Sequence, residues 1–131
     1  NFHIINGEIN FNNTKFINDK IGSLELINSN LFFKNNKLIL NSDILIEIKS
    51  SDHLFSLLNT VKTARKKIKK VLINLDYDLL TNQFKFNNVK VDNNAASEHL
   101  LRMMDGFSDN DLNNLNKNRR LINEILNVYA G

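Results

Sequence analysis

The sequence of 131 residues contains no cysteine, no proline and only four glycines. Without cysteine there is no disulfide framework and no thiolate metal site, so a reducing cytosol and an oxidising periplasm both remain open. Four scattered glycines exclude a glycine-rich phosphate loop. Asparagine stands at almost every bend instead, because its side chain tolerates the left-handed backbone conformation of tight turns.

Long apolar runs are also missing from the sequence. The longest are a few residues, such as Ile44-Leu45-Ile46, whereas a membrane-spanning helix needs roughly 20 consecutive apolar residues. The 131 residues contain no signal peptide, although a longer precursor could have carried one before Asn1. Because it begins with Asn1 rather than Met, we expect it to be a segment of a longer protein.

No set of residues forms a recognisable catalytic or metal-binding motif. His3, His53 and His99 fall on separate predicted elements, without a second ligand at the spacing that a metal requires. Asp76 and Asp78 point to the same face of a predicted strand, but they alternate with apolar residues. This alternation favours the water-facing side of an amphipathic strand over an acid/base pair. The sequence therefore predicts a non-enzymatic protein with no cofactor.

Positive charge is concentrated in one short stretch. The net charge is +3, yet residues 62–70 contain no acid and six basic residues. These are Lys62, Arg65, Lys66, Lys67, Lys69 and Lys70. The stretch either binds phosphates of nucleic acid or anionic lipid, or is the solvated C-terminus of a helix, where cations suit the helix dipole. No aromatic residues are interleaved with it, which favours the helix end over nucleic-acid binding. Arg65 falls inside the predicted apolar arc, so it either extends outward along the sheet edge or is partly buried against a carboxylate.

Alternation of apolar and polar residues predicts most of the strands. Residues 2–50 read as four or five antiparallel strands, with turns at Asn12-Asn13 and Asn35-Asn36. Strands return over 73–91, with a turn at Thr81-Asn82 and a bulge at Asn87-Asn88. Six residues are predicted to share one apolar face of the sheet: Ile44, Ile46, Ile48, Ile73, Leu75 and Tyr77.

Helical spacing predicts three helices. The first spans 53–70, is capped by Ser51 or Asp52, and covers the apolar face with residues at a 3.6-residue period. That period is carried by Leu54, Leu57, Leu58, Val61, Ala64 and Ile68. A short helix capped by Asn94 contains Leu100, Leu101, Met103 and Met104 and stops near Gly106, and a last helix spans 111–129. The prediction is one α+β domain, 1–131, with a curved antiparallel sheet of about six to eight strands over 1–92 and helices over 93–131.

Three stretches resemble the C-terminal region of AsmA-like bacterial envelope proteins. They are the strand opening "INGEINF" from Ile5, the run "SNLFFKNNKLILNSDILIEI" over 29–48, and the segment 65–92 with "VLINLDYDLLTNQFKFNNVKVD". The resemblance covers roughly residues 5–93. It implies a periplasmic segment of a protein anchored in the inner membrane elsewhere in its chain. It also implies lipid acyl chains as the partner, held by a β-sheet groove, and it brings no catalytic residues. The helical C-terminal third and the short length depart from the family.

From these features we expect a non-enzymatic periplasmic module that takes part in lipid transport or outer-membrane assembly. The main alternative is a module that binds nucleic acid or an anionic surface through residues 62–70. A third is a scaffold whose C-terminal helix docks a partner.

Overall fold

The computed structural model describes residues 3–5, 8–105, 116, 119–120 and 122–123. Within this part of the chain, eight strands form one antiparallel sheet. The strands are β1 (His3–Ile5), β2 (Glu8–Asn10), β3 (Thr14–Asn18), β4 (Gly22–Lys34), β5 (Lys37–Ile48), β6 (Lys70–Asp78), β7 (Gln83–Val91) and β8 (Asn94–Ala95). The helices are α1 (Ser51–Leu57) and α2 (Glu98–Asp105), with one 3-10 turn at Lys62–Ala64.

The two longest strands, β4 and β5, form the centre of the sheet. The order is β1-β2-β4-β5-β6-β7-β8, and β3 also pairs with β4. Because β4 has 13 residues, it accommodates β2 beside Asn30 and Leu31 and β3 beside residues 22–26, on the edge opposite β5. The prediction of four or five antiparallel strands before residue 50 is confirmed by β1–β5.

The predicted α+β class is wrong, because the described chain is mostly antiparallel sheet with short helices. The predicted helix 53–70 is the main error. α1 ends at Leu57, Asn59 takes a left-handed conformation with φ 58°, and residues 65–69 belong to no helix or strand. A left-handed residue after a C-cap ends a helix. The N-cap is Ser50, one residue before the predicted pair, and its side chain accepts from the His53 backbone N–H at 3.4 Å.

The C-terminal third is described only in part. α2 lies where the short helix was predicted, but Asn94 is not its cap, because Asn94 belongs to β8. The predicted helix 111–129 lies outside the described residues except at five positions, 116, 119, 120, 122 and 123, which are helical. The single domain over 1–131 stays a prediction.

Asparagine supplies nearly all of the left-handed backbone. Eight described non-glycine residues have positive φ: Asn13, Asn28, Asn35, Asn36, Asn59, Asn82, Asp92 and Asn93. Two consecutive pairs, Asn35-Asn36 and Asp92-Asn93, join antiparallel strands as two-residue hairpin loops with both φ positive. This is the conformation whose twist matches that of the flanking strands. The predicted turns at Asn12-Asn13, Asn35-Asn36 and Thr81-Asn82 are confirmed.

Two β-bulges keep the apolar residues of the sheet on one side. In β4, Asn28 and Ser29 lie opposite the single residue Ser42, between the pairs Ile27↔Asp43 and Asn30↔Asn41. In β7 the extra residue is Asn87, which confirms the bulge predicted there. An extra residue reverses the alternation of side chains along a strand. Apolar residues therefore reach the same face on both sides of each bulge.

The described core is small and lies at one corner of that face. Phe55 from α1 and Ile68 from the following segment pack with Val89, Val91 and Met104, all of them buried. Partly buried neighbours surround this cluster: Ile48, Val71, Ile73, Phe86, Ala96 and Leu101. The corner formed by the ends of β5, β6 and β7 is therefore the closed part of the face.

Candidate functional site

The strand register places the six predicted face residues on one side of the sheet. In the β5–β6 ladder Ile44 lies opposite Ile73, and Ser42 and Leu40 lie opposite Leu75 and Tyr77. Directly opposed residues in an antiparallel pair point to the same face, and residues two apart along a strand share a face. Ile46 and Ile48 follow Ile44 at this spacing, so all six belong to one surface.

This surface continues across five strands, and we call it the apolar face. Its members are Phe16, Leu24, Leu26, Leu31, Phe33, Leu38, Leu40, Ile44, Ile46, Ile48, Val71, Ile73, Leu75, Tyr77, Phe84, Phe86, Val89 and Val91, as the paired registers show. Tyr77 and Phe84 stack with their ring centroids 4.3 Å apart. The face also carries polar groups: the buried hydroxyl of Ser42, which lies between Leu40 and Ile44 and bonds the Ser29 hydroxyl, and the Tyr77 hydroxyl, which donates to Asn82 Oδ1 at 2.8 Å.

Most of the apolar face is only half-buried. Leu75, Val89 and Val91 are buried, while Phe16 and Phe33 are 62% and 66% exposed. Other residues of the face, including Leu26 and Ile44, are half-buried. The predicted cover by helix 53–70 is wrong, because α1 has seven residues and its buried side chain, Phe55, packs at the β7 corner.

The opposite face of the central strands carries ordered polar side chains. The Asp76 carboxylate accepts from the Asn41 and Asn87 side-chain amides at 2.6 and 3.3 Å. Two residues beyond Asn41 on β5, the Asp43 carboxylate accepts from the side-chain amides of Asn28 and Asn74 at 3.0 and 2.6 Å. These cross-strand bonds satisfy the two carboxylates and fix the strands relative to one another.

Asp78 differs from the water-facing residue that the sequence predicted. It shares a face with Asp76, but it is only 5% exposed. Its Oδ1 accepts from the Leu80 backbone N–H at 3.1 Å, and its Oδ2 lies 4.0 Å from Lys37 Nζ. No described residue donates a hydrogen bond to Oδ2. Asp78 is therefore a buried group that stabilises the β6–β7 turn by accepting from Leu80 and lies beside Lys37 of the β4–β5 hairpin.

The basic stretch, residues 62–70, is not a helix C-terminus. It consists of the 3-10 turn, five residues without regular structure and the start of β6, while the last turn of α1 has no basic residue. The helix dipole therefore does not account for its charge. We call this stretch the basic segment.

Three sets of hydrogen bonds hold the backbone of the basic segment in place. Arg65 donates from Nε to the Thr60 carbonyl at 3.0 Å and from Nη1 to Ser56 Oγ at 3.2 Å. Ser51 Oγ bonds both the N–H and the carbonyl of Ile68, at 3.0 and 2.8 Å. Asp92 Oδ1 accepts from two successive backbone N–H groups, those of Lys69 and Lys70, at 2.9 and 2.8 Å. Arg65 is half-buried, and its guanidinium bonds a carbonyl and a hydroxyl rather than the carboxylate of the second alternative.

The lysine side chains of the basic segment point to solvent. Lys62, Lys66, Lys67, Lys69 and Lys70 are all exposed, and the salt bridges among described residues involve other cations. A depression of about 440 Å³ beside the segment is lined by Lys49, Arg65, Lys66, Lys67 and Lys69, with Asp52 as its one carboxylate.

Exposed aliphatic side chains flank the basic segment, and the sequence did not predict their exposure. Leu57 is 50% exposed and Val61 is 66% exposed. Both were assigned to the buried arc of helix 53–70. The sequence signal for their exposure is Asn59, whose left-handed conformation follows the end of α1 at Leu57.

The described residues contain no group of three His, Asp or Glu side chains arranged to hold a metal ion. His53 is exposed at the start of α1, where its Nδ1 lies 2.8 Å from Ser50 Oγ. The side chains of His3 and His99 lie outside the described part of the chain. Among the helices that the structure describes, none has the length and apolar character needed to cross a bilayer.

No protein-family model, curated protein or solved structure matches this chain. The AsmA-like resemblance of residues 5–93 therefore stays a prediction.

Proposed function

We propose that this chain is a non-enzymatic module that holds lipid acyl chains against the apolar face. In this proposal it belongs to an AsmA-like envelope protein of the periplasm that takes part in lipid transport or outer-membrane assembly. The parent chain is anchored in the inner membrane outside the segment. The observation that carries the proposal is an apolar surface that extends over five strands, with Ser42 within it, and is buried at one corner.

Half-buried aliphatic side chains leave apolar area in contact with water, and an acyl chain can cover that area. Contiguous apolar patches beyond a few hundred Å² are unusual on monomeric proteins and mark binding surfaces. Each methylene that leaves water on such a surface contributes about 0.8 kcal/mol. β5 has 12 residues, and at about 3.3 Å per residue it extends for about 40 Å. That length exceeds the roughly 30 Å of a bilayer's hydrocarbon core, which two opposed acyl chains fill.

Two adjacent residues of β5 provide a matched test of the apolar face. Ile44 points to this face and Leu45 points to the other, and both are half-buried. Ile44→Gln and Leu45→Gln therefore place the same polar group on opposite sides of one strand. We expect Ile44→Gln to reduce the binding of a fluorescent fatty acid and Leu45→Gln to leave it near the wild-type value.

Lipid extracts of the purified proteins, measured by mass spectrometry, give a second readout. We expect phospholipid or fatty acid to co-purify with the wild-type chain and with Leu45→Gln, and less with Ile44→Gln. Urea denaturation of both variants shows whether they lose stability to the same extent. Equal loss of fatty-acid binding in two equally stable variants, or no binding by the wild-type chain, would rule out the apolar face as a lipid site.

A further inference from the structure

We infer that the basic segment and the aliphatic residues beside it form a docking surface for an anionic lipid bilayer. This surface consists of Leu57, Val61, Lys62, Lys66, Lys67, Lys69 and Lys70, and we call it the docking surface. It is separate from the apolar face, and docking does not require the sheet to hold an acyl chain.

Among the described residues, no carboxylate forms a salt bridge with a lysine of the docking surface. Its five lysines are exposed, and the ion pairs of the described chain lie elsewhere. Like charges this close in sequence repel one another, which opposes folding unless something else compensates. An anionic membrane surface compensates such a cluster, because it attracts lysines that lie within a Debye length of the lipid headgroups.

The backbone from Ile68 to Lys70 is already ordered by hydrogen bonds. Ile68 is buried and bonded to Ser51, and the backbone N–H groups of Lys69 and Lys70 share the Asp92 carboxylate. At these positions docking orders side chains on a backbone that is already held, which lowers the conformational entropy lost on binding.

The exposed aliphatic residues favour a bilayer over nucleic acid. Val61 adjoins Lys62 in the sequence, Leu57 lies one short turn earlier, and both are at least half exposed. Apolar side chains beside a basic cluster enter the boundary between headgroups and acyl chains while the lysines contact the headgroups. Nucleic acid offers no such apolar layer, and recognition of single strands relies on aromatic stacking. Residues 57–70 contain no aromatic residue.

The first experiment measures co-sedimentation of the 131-residue chain with vesicles. One vesicle type is phosphatidylcholine alone, and the other contains about 30 mol% phosphatidylglycerol at about 0.1 M salt. We expect binding to the anionic vesicles alone, and we expect it to weaken as salt rises, because surface charges are screened. Equal binding to both vesicle types, binding that salt does not change, or no binding would overturn the inference.

Paired lysine variants locate the surface. Lys66→Gln with Lys67→Gln removes two charges from the docking surface, and Lys34→Gln with Lys85→Gln removes two exposed charges at the far end of the sheet. Each lysine that contacts an anionic surface contributes about fivefold in affinity, so the first pair should weaken vesicle binding about 25-fold. The control pair should change it by less than about threefold. An equal loss in both pairs would mean that net charge alone drives binding.

Two further measurements separate a bilayer from nucleic acid. Leu57→Ser with Val61→Ser should lower vesicle binding about tenfold and leave the remaining binding sensitive to salt. If the pair has no effect, or if a DNA duplex binds more tightly than anionic vesicles at the same salt, the bilayer assignment is wrong. Far-UV circular dichroism confirms that each variant keeps the sheet. Loss of fatty-acid binding in Ile44→Gln with vesicle docking intact would distinguish this surface from the apolar face.

Discussion

Asp92 joins the β7–β8 hairpin to the basic segment, and its replacement gives a quantitative test of the structure. Its Oδ1 accepts from the Lys69 and Lys70 N–H groups at 2.9 and 2.8 Å, and its own φ is 47°. A substitution at Asp92 therefore changes stability in two ways. The two hydrogen bonds are lost when the carboxylate is removed, and the new side chain carries its own conformational cost at a positive φ.

Three substitutions at Asp92 separate the two contributions. Hydrogen bonds to a charged group contribute about 1.5–3 kcal/mol each, and competition with water at this half-exposed site reduces that to about 1 kcal/mol each. Alanine lacks the local side-chain hydrogen bonding that lets Asp and Asn adopt the left-handed region, so it costs about 1 kcal/mol more there. We therefore expect Asp92→Ala to lower the free energy of unfolding by about 3 kcal/mol and Asp92→Gly by about 2 kcal/mol. Asp92→Asn keeps an acceptor and tolerates the conformation, so it should cost less than about 1 kcal/mol.

Urea denaturation followed by circular dichroism measures these differences, provided that the dependence on urea has the same slope in all variants. The order Ala, Gly, Asn, from most to least destabilised, is the expected result. If Asp92→Ala and Asp92→Asn were equally stable, the Asp92 carboxylate would not hold the basic segment, and the preorganisation of the docking surface would lose its basis.

Two further predictions concern backbone conformation. Asn36 has φ 58° in the loop between β4 and β5, so Asn36→Gly should stabilise the protein by about 0.5 kcal/mol and Asn36→Ala should destabilise it by about 1 kcal/mol; thermal denaturation measures both, and equal midpoints would contradict the hairpin assignment. Gly22 has φ 148°, and a Cβ there would lie 1.9 Å from the Glu47 carbonyl oxygen. Gly22→Ala should therefore cost at least about 2 kcal/mol, whereas the neighbouring Ser23→Ala should be nearly neutral in the same urea titration; similar midpoints for the two variants would show that β4 and β5 separate readily there.

The strands and turns were largely predictable because their signals are local. Alternation with a period of two is imposed by the strand itself, and asparagine has an intrinsic tolerance for left-handed turns. Even the β7 bulge was visible, since Phe84 and Phe86 are out of phase with Val89 and Val91. The pairing of β2 and β3 with one edge of β4 was not visible, because it depends on the length of β4.

Helix 53–70 was wrongly predicted because a run of apolar residues at helical spacing does not guarantee a helix. Leu54 and Leu58 do belong to α1 and its C-cap, but Asn59 turns the chain before the period can continue. Tertiary contacts then select Phe55 and Ile68 for the core and leave Leu57 and Val61 at the surface. Ala64, Arg65 and Lys66 are good helix formers, but helix propensity is small compared with tertiary packing and is overridden here by contacts with β6 and β7.

For the candidate site, the sequence indicated which residues share a strand face but not how much of that face is covered. Coverage depends on where α1 and α2 pack, which no local pattern encodes. The charge of the basic segment could also be predicted from the sequence. Its irregular conformation could not, because it depends on hydrogen bonds made by Ser51, Arg65 and Asp92.

The two bulges determine where this chain can lose a residue. If Asn28 were removed, Ser29 would still lie beside Ser42, whose hydroxyl it now bonds, and Leu31 would still face Leu40. Removal of Asn87 would likewise leave Val89 opposite Ile73. Removal of any neighbouring strand residue such as Leu26 would instead turn apolar side chains toward the polar face, because one step along a strand exchanges its two sides. The bulges are thus the positions where β4 and β7 can shorten by one residue and keep their apolar side chains on one face, at the cost of the hydrogen bonds that Asn28 and Asn87 donate to Asp43 and Asp76.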